Sequence, residues 1–171
     1  MTELNLRLRE ISLEDAELLL NLNNDEDIAK CVVGEPNKVT LQDQIRWINN
    51  LQYERNVIRF IVENNSQAVG TIIISNIDNH NKVGNFNIKM SKDFRGTGIS
   101  QKAARLALRY AFDTLGLCCI TAHVLDDNVV SQKFFQKMGF ELEGVLKSRV
   151  IKNGKRRSLL SYSIVKPDEM A

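Results

Sequence analysis

Apolar and polar positions along this chain recur with periods that predict an ordered series of elements. Residues 5–11, NLRLREI, alternate as a strand does, and Ser12 with Asp15 then forms a capping-box pattern opening a helix that runs to about Asn23. The stretch from Asn24 to Lys38 keeps no clear period and reads as a short helix followed by a GEPN turn. Thr40 with Asp43 caps a second helix. Its Leu41, Ile45, Ile48 and Leu51 are expected to form the buried stripe, with Trp47 packed at the flank.

Three strand-like runs follow, VIRFIVE (57–63), AVGTIIIS (68–75) and KVGNFNIKM (82–90), and their short, turn-rich connections predict an antiparallel meander. Ala104, Leu108, Ala111 and Leu115 keep helical spacing up to Gly116, a residue suited to end a helix. CCITAHVL (118–125) then reads as a strand reached through a helical crossover, and so parallel to the strand ending at Met90. A last helix is expected from Asn128 to Met138 with Val130, Phe134 and Met138 inward, ahead of a hairpin around Asn153-Gly154. The order β-α-α-β-β-β-α-β-α-β-β predicts an α/β (α+β) protein, with no repeat and no linker dividing residues 1–171 into more than one domain.

At 171 residues, 43% apolar and 26% charged, the chain can bury a core and has no low-complexity tract. A formal charge of +2 argues against stable nucleic-acid or membrane binding, and the one local basic cluster, KNGKRR at 152–157, reads as a solvated hairpin tip. Residues 1–20 hold no signal pattern, and no apolar run approaches membrane-spanning length. A cytoplasmic location is therefore expected. Cys31, Cys118 and Cys119 offer neither a disulfide framework nor zinc spacing; they read as small packing residues, and no metal is expected.

The stretch that points to chemistry is KDFRGTGISQKA, 92–103. Gly96 and Gly98 admit backbone conformations closed to other residues, and a helix starting near Ile99 would aim unpaired N–H groups into this loop as an anion site. A nucleoside-triphosphate loop would need a lysine and a hydroxyl residue at the helix start, at a spacing GTGISQKA does not supply. A dinucleotide fingerprint would need a third glycine where Gln101 stands.

Arg95-x-x-Gly98-x-Ser100 opening a helix, with Asn128-x-x-Ser131 through Phe135, Lys137, Gly139 and Phe140 downstream, resembles the GNAT superfamily of N-acetyltransferases. The resemblance covers roughly residues 5–165 and is nearest to the branch holding ribosomal-protein N-terminal alanine, spermidine and amino-sugar N-acetyltransferases. It implies a mixed central sheet of about seven strands with a splayed parallel pair, commonly bulged in the first strand, flanked by helices. It also implies acetyl-CoA as the acetyl donor. The pantetheine arm would pair with Ile88, Lys89 and Met90, and the pyrophosphate would sit on the amides of Arg95, Gly96, Thr97, Gly98, Ile99 and Ser100. Asn128 either bonds that arm or only caps its helix; Lys137 either approaches the nucleotide or is solvated; Phe135 can pack near the thioester.

Catalysis is where the sequence departs from the family pattern. An alkyl amine has a pKa near 10.4, so a base or an ordered water path must deprotonate it. Asn85 stands where many relatives carry a glutamate base, and the resemblance passes that role to His123, whose alternative is a strand histidine with a satisfied hydrogen bond. Phe135 replaces the family's acidic tyrosine, leaving Ser131 or Tyr162 to compensate, or the thiolate, near pKa 8.5 as a free thiol, to depart unassisted. His80 reads as a turn residue. Asp25, Glu26, Asp27 and Glu35 suit a polycationic acceptor or simply complement a helix N-terminus.

The expected function is acetyl transfer to a primary amine by direct attack in a ternary complex. Polyamine, protein N-terminal amine and amino sugar are the candidate acceptors. The alternative is an acetyl-CoA-binding module of the same fold with weak or no catalysis. A monomer or homodimer is expected.

Overall fold

The computed structural model describes residues 5–34 and 37–167. Along the chain run β1 (Leu6–Arg9), α1 (Ala16–Asn24), α2 (Glu26–Cys31), α3 (Leu41–Asn50), β2 (Ile58–Asn64), β3 (Gln67–Asp78) and β4 (Val83–Met90). After them come α4 (Ile99–Arg109), β5 (Cys119–Leu125), α5 (Val129–Lys137), β6 (Glu141–Lys152) and β7 (Lys155–Val165). The strands form one seven-stranded sheet in the order β1-β2-β3-β4-β5-β7-β6. All neighbours are antiparallel except β4 and β5, which are parallel as the helical crossover requires.

Both faces of the sheet carry helices. Ile72, Ile74, Phe86, Ile120, Ala122 and Tyr162 look toward Ala103, Ala104 and Ala107 of α4, whose small side chains let helix and sheet approach closely. On the opposite face Ile61 packs with Ala16 and Leu19 of α1 and Ile48 of α3. Asp15, 2% exposed just before α1, ties that helix down: Arg9 holds its carboxylate at 2.7 Å and, also at 2.7 Å, the carboxylate of Glu63 on β2. Arg9 itself is held firmly protonated, chiefly by the Asp15 hydrogen bond.

Helix starts follow the sequence signals. Ser12 and Asp15 form the expected capping box, although a 3₁₀ turn at Leu13–Asp15 precedes α1. Thr40 and Asp43 form the second box, ahead of α3. Helix α4 widens into a π turn over Tyr110–Thr114 and is followed by Gly116 at φ +66°. The last hairpin turns on Asn153 (φ +49°) and Gly154 (φ +72°), the two left-handed residues of a type I′ turn.

Several expectations about side-chain direction are corrected. Leu41 and Ile45 are 40% and 37% exposed, because α3 presents Ile48 and the edge of Trp47 to the sheet and buries Gln44, which accepts from Asn23 at 2.8 Å. The Trp47 ring also lies beneath the Arg59 guanidinium, 5.2 Å from its centroid. Val130 is 80% exposed; Phe134 and Met138 turn inward as expected, and Phe135 joins them in place of Val130. Cys31 is exposed rather than packed. The basic cluster is only partly solvated: Lys152 is 7% exposed and donates to the Gly34 carbonyl at 2.7 Å, and Arg157 pairs with Asp126 and Asp127 at 2.6 and 2.8 Å. Of the GEPN turn, Glu35 and Pro36 lie outside the described residues. Among the described residues no helix is long and apolar enough to cross a membrane.

Candidate active site

The site begins where a ladder ends. β4 and β5 pair through Val83–Cys119, Gly84–Ile120 and Asn85–Thr121, and there the parallel pairing stops. β4 continues to Met90 against β3 alone, and β5 continues to Leu125 against β7 alone. The β5-facing edge of β4 beyond Asn85 thus lacks a ladder partner among the described strands. The nearby bulge lies between Ser75 and Asp78 of β3 rather than in β4, at Asn76 with φ +50°.

Aromatic rings fill the space beneath the divergence. Phe135, 6% exposed on α5, sits 6.1 Å from the Phe86 ring, 5.0 Å from that of Phe140 and 6.3 Å from that of Tyr162, and so bridges β4 to β7. Above these rings opens a cleft of about 760 Å³. Its β4 wall is formed by Ile88, Lys89 and Met90, and His123 enters from β5. At the α4 end stand Arg95, Gly96, Gly98 and Ser100; from α5 and its start come Asn128, Ser131, Phe135 and Lys137.

Three of the sequence-predicted residues do not line the cleft. The Thr97 hydroxyl donates to the Phe94 carbonyl at 2.8 Å, holding the glycine loop in shape. Ile99 is buried in the core, and Tyr162, 1% exposed, lies behind Phe135 with the two rings stacked at 23°. Asn128 caps its helix, its carbonyl oxygen accepting from the Ser131 amide at 3.1 Å, and it also borders the cleft. Asn85 is the last residue to pair with β5 and accepts a 3.4 Å bond from the Thr121 hydroxyl. His80 sits in the exposed turn after β3, its amide donating to Asp78 at 2.9 Å.

The glycine loop has the geometry of an anion cradle. Gly96 (φ +76°) and Gly98 (φ +84°) are left-handed, and nothing stands within 4 Å of where a Cβ on either would be. The first backbone bond of α4 runs from Lys102 to the Gly98 carbonyl at 3.3 Å, so the amides of Ile99, Ser100 and Gln101 precede it as unpaired helix-start donors. Arg95 is anchored beside them: Nε donates to the Met90 carbonyl at 3.0 Å and the guanidinium meets Asp25 at 2.5 Å.

That contact decides what the acidic segment does. The Asp25 carboxylate accepts from the Asp27 and Ile28 amides, capping α2, and from Arg95 as well. Its partial burial alone would raise its pKa, but the Ile28 amide and Arg95 hold it below the usual carboxylate range. Asp27 lies 3.8 Å from the same guanidinium. Glu35 is outside the described residues.

The sequence reading missed one wall of the cleft: Ile28, Cys31, Val32 and Val33, at α2 and just beyond it. No residue of α2 is fully buried, so the segment lacked the amphipathic stripe that would have marked it. Among the described residues, no group of His, Cys, Asp or Glu could hold a metal ion.

The geometry fits a long, flexible donor ending in phosphates: an unpaired strand edge for its amide-bearing arm and a glycine-opened helix start for its anions. The family model described as acetyltransferase (GNAT) domain matches residues 5–141. The chain is 28% identical to the spermidine N(1)-acetyltransferase of Escherichia coli K12 over 167 residues, covering 96% of this chain and 88% of that one. It is also 28% identical over 165 residues to the uncharacterized N-acetyltransferase p20 of Bacillus licheniformis, covering 94% of this chain and 93% of that one. Its fold is similar to that of the Vibrio cholerae spermidine N-acetyltransferase crystallised in complex with CoA and spermine, with a TM-score of 0.87, 25% identity and coverage of 94% and 95%.

Proposed function

The chain belongs to the GNAT acetyltransferase family and is an N-acetyltransferase drawing on acetyl-CoA; from that premise we propose that residues 1–171 act as one domain, transferring the acetyl group to a primary amine by direct attack in a ternary complex. Acetyl-CoA supplies an acetyl thioester, an acyl donor with a good leaving group. The observation that carries the reading is the end of β4–β5 pairing at Asn85–Thr121, with the cleft opening directly beyond it. The strand edge at Ile88 to Met90 receives the pantetheine arm by strand-like pairing, and the amides around Gly98 to Ser100 receive the pyrophosphate.

His123 is the base in this account. It lines the cleft on β5, within the stretch no longer paired to β4. An ammonium acceptor gives up two protons: one passes through His123 to solvent, and the second ends on the sulfur as the N–C bond forms and the C–S bond breaks. Phe135 shapes the floor and gives no proton, and Tyr162 is shielded behind it. Of the two candidate acids only Ser131 borders the cleft, where it can assist the departing sulfur, a group that leaves readily even unaided.

The relatives named above are spermidine acetyltransferases in two cases, which keeps polyamines among the acceptors to be tried, beside peptide N-termini and amino sugars. An initial-rate matrix in both substrates tests the ternary complex. Intersecting double-reciprocal lines and no acetyl group left on the protein are expected. Parallel lines with an isolable acetyl-enzyme would overturn direct attack.

A further inference from the structure

β4 carries a cation that nothing in the reaction so far employs. Strand alternation places Asn85, Asn87 and Lys89 on one face of β4, and the β4–β5 register places Thr121 and His123 of β5 on the same face. This is the face covered by α1: Lys89 Nζ donates to Asn23 Oδ1 of α1 at 3.0 Å, and Asn23 in turn donates to the buried Gln44 of α3 at 2.8 Å. One of the three Lys89 donors is thereby used. Among the described residues no carboxylate pairs with it, and the two acids that follow its partner Asn23 at the start of α2, Asp25 and Asp27, meet Arg95. Both Lys89 and His123 border the cleft.

A half-buried ammonium without a counter-charge is costly unless something pairs with it. We propose that Lys89 receives an anionic group of the acceptor, so that this enzyme acetylates amines that also bear a carboxylate or phosphate in preference to polycations. The inference rests on the transferase reading above and on the proposed base, since it places the acceptor between Lys89 and His123. Burial also pushes the Lys89 pKa down, the direction expected of a cation whose partner arrives only with the ligand.

Matched acceptor pairs test this: 4-aminobutyrate against butylamine for a carboxylate, and glucosamine 6-phosphate against glucosamine for a phosphate, with spermidine as the polycation. In the wild type the anionic member of at least one pair should show kcat/KM about tenfold or more above its neutral partner, the scale of one charged hydrogen bond, and above spermidine. In Lys89→Met that ratio should collapse toward one, through KM rather than kcat, and Lys89→Arg should restore part of it. A ratio within one variant is insensitive to damage to the acetyl-CoA site or to partial unfolding. Wild-type preference for spermidine, or a ratio unchanged in Lys89→Met, would overturn the inference while leaving the transferase intact. Failure of every amine to release thiol would instead overturn the transferase reading, and this inference with it.

Discussion

At the scale of single residues, the account turns on two side chains of the cleft. His123 is the proposed base, so His123→Ala should lower kcat by ~10²–10⁴-fold while calorimetry finds acetyl-CoA binding nearly intact. Equal turnover in that variant would leave deprotonation to water. Phe135 stands where the family carries a tyrosine acid, yet it is 6% exposed and gripped by Phe86, Phe140 and Tyr162. Phe135→Tyr is expected to change kcat by less than about tenfold, because thiolate departure needs little help and the ring serves as packing. A larger rise at unchanged KM would show that protonation limits the reaction. Melting curves must accompany the comparison, since a buried hydroxyl without a partner costs about 1–3 kcal/mol.

At the scale of elements, the proposed cofactor site depends on how α4 begins. Gly98 at φ +84° precedes the helix, and a side chain there is strained whatever the space around it. Gly98→Asp should therefore lose about 1–2 kcal/mol of stability from the left-handed backbone alone. Its carboxylate should also weaken acetyl-CoA binding by more than tenfold, read by calorimetry on the folded variant; unchanged affinity would move the pyrophosphate elsewhere. The same loop was legible in the sequence, because Gly96, Gly98 and the helix behind them carry their meaning locally. The succession of strands along the chain, both capping boxes and the Asn153-Gly154 turn were legible for the same reason. What escaped is decided by contacts distant along the chain. Val130 fits the helical stripe as well as Phe135 does, and only the gap between β4 and β5 selects the phenylalanine. Lys152 reads as solvated until Gly34 is brought against it; Asp25 caps a helix start, one of its two sequence readings, but its second partner, Arg95, lies far along the chain.

For the molecule as a whole, the ion pairs predict the response to acid. Asp15 and Asp25 are held below the usual carboxylate range although burial, the largest influence on each, works the other way; Asp126 is held low by Arg157. Groups whose folded pKa is depressed stabilise the fold above their unfolded values near 3.9, and that contribution is lost as pH falls through the folded values. Urea unfolding should thus show stability falling from about pH 5 downward, with Asp15→Asn flattening the fall. An acid response identical in wild type and Asp15→Asn would remove that pair from the explanation. The central claim is that the cleft beyond Asn85–Thr121 joins acetyl-CoA to an amine. Its most direct test follows free thiol and acetylated product together, with acetyl-CoA and a panel of primary amines. Thiol release that requires an amine, matches the acetylated product mole for mole and falls in Gly98→Asp and His123→Ala is the predicted result. Tight acetyl-CoA binding with no amine-dependent thiol release from any member of the panel would contradict it.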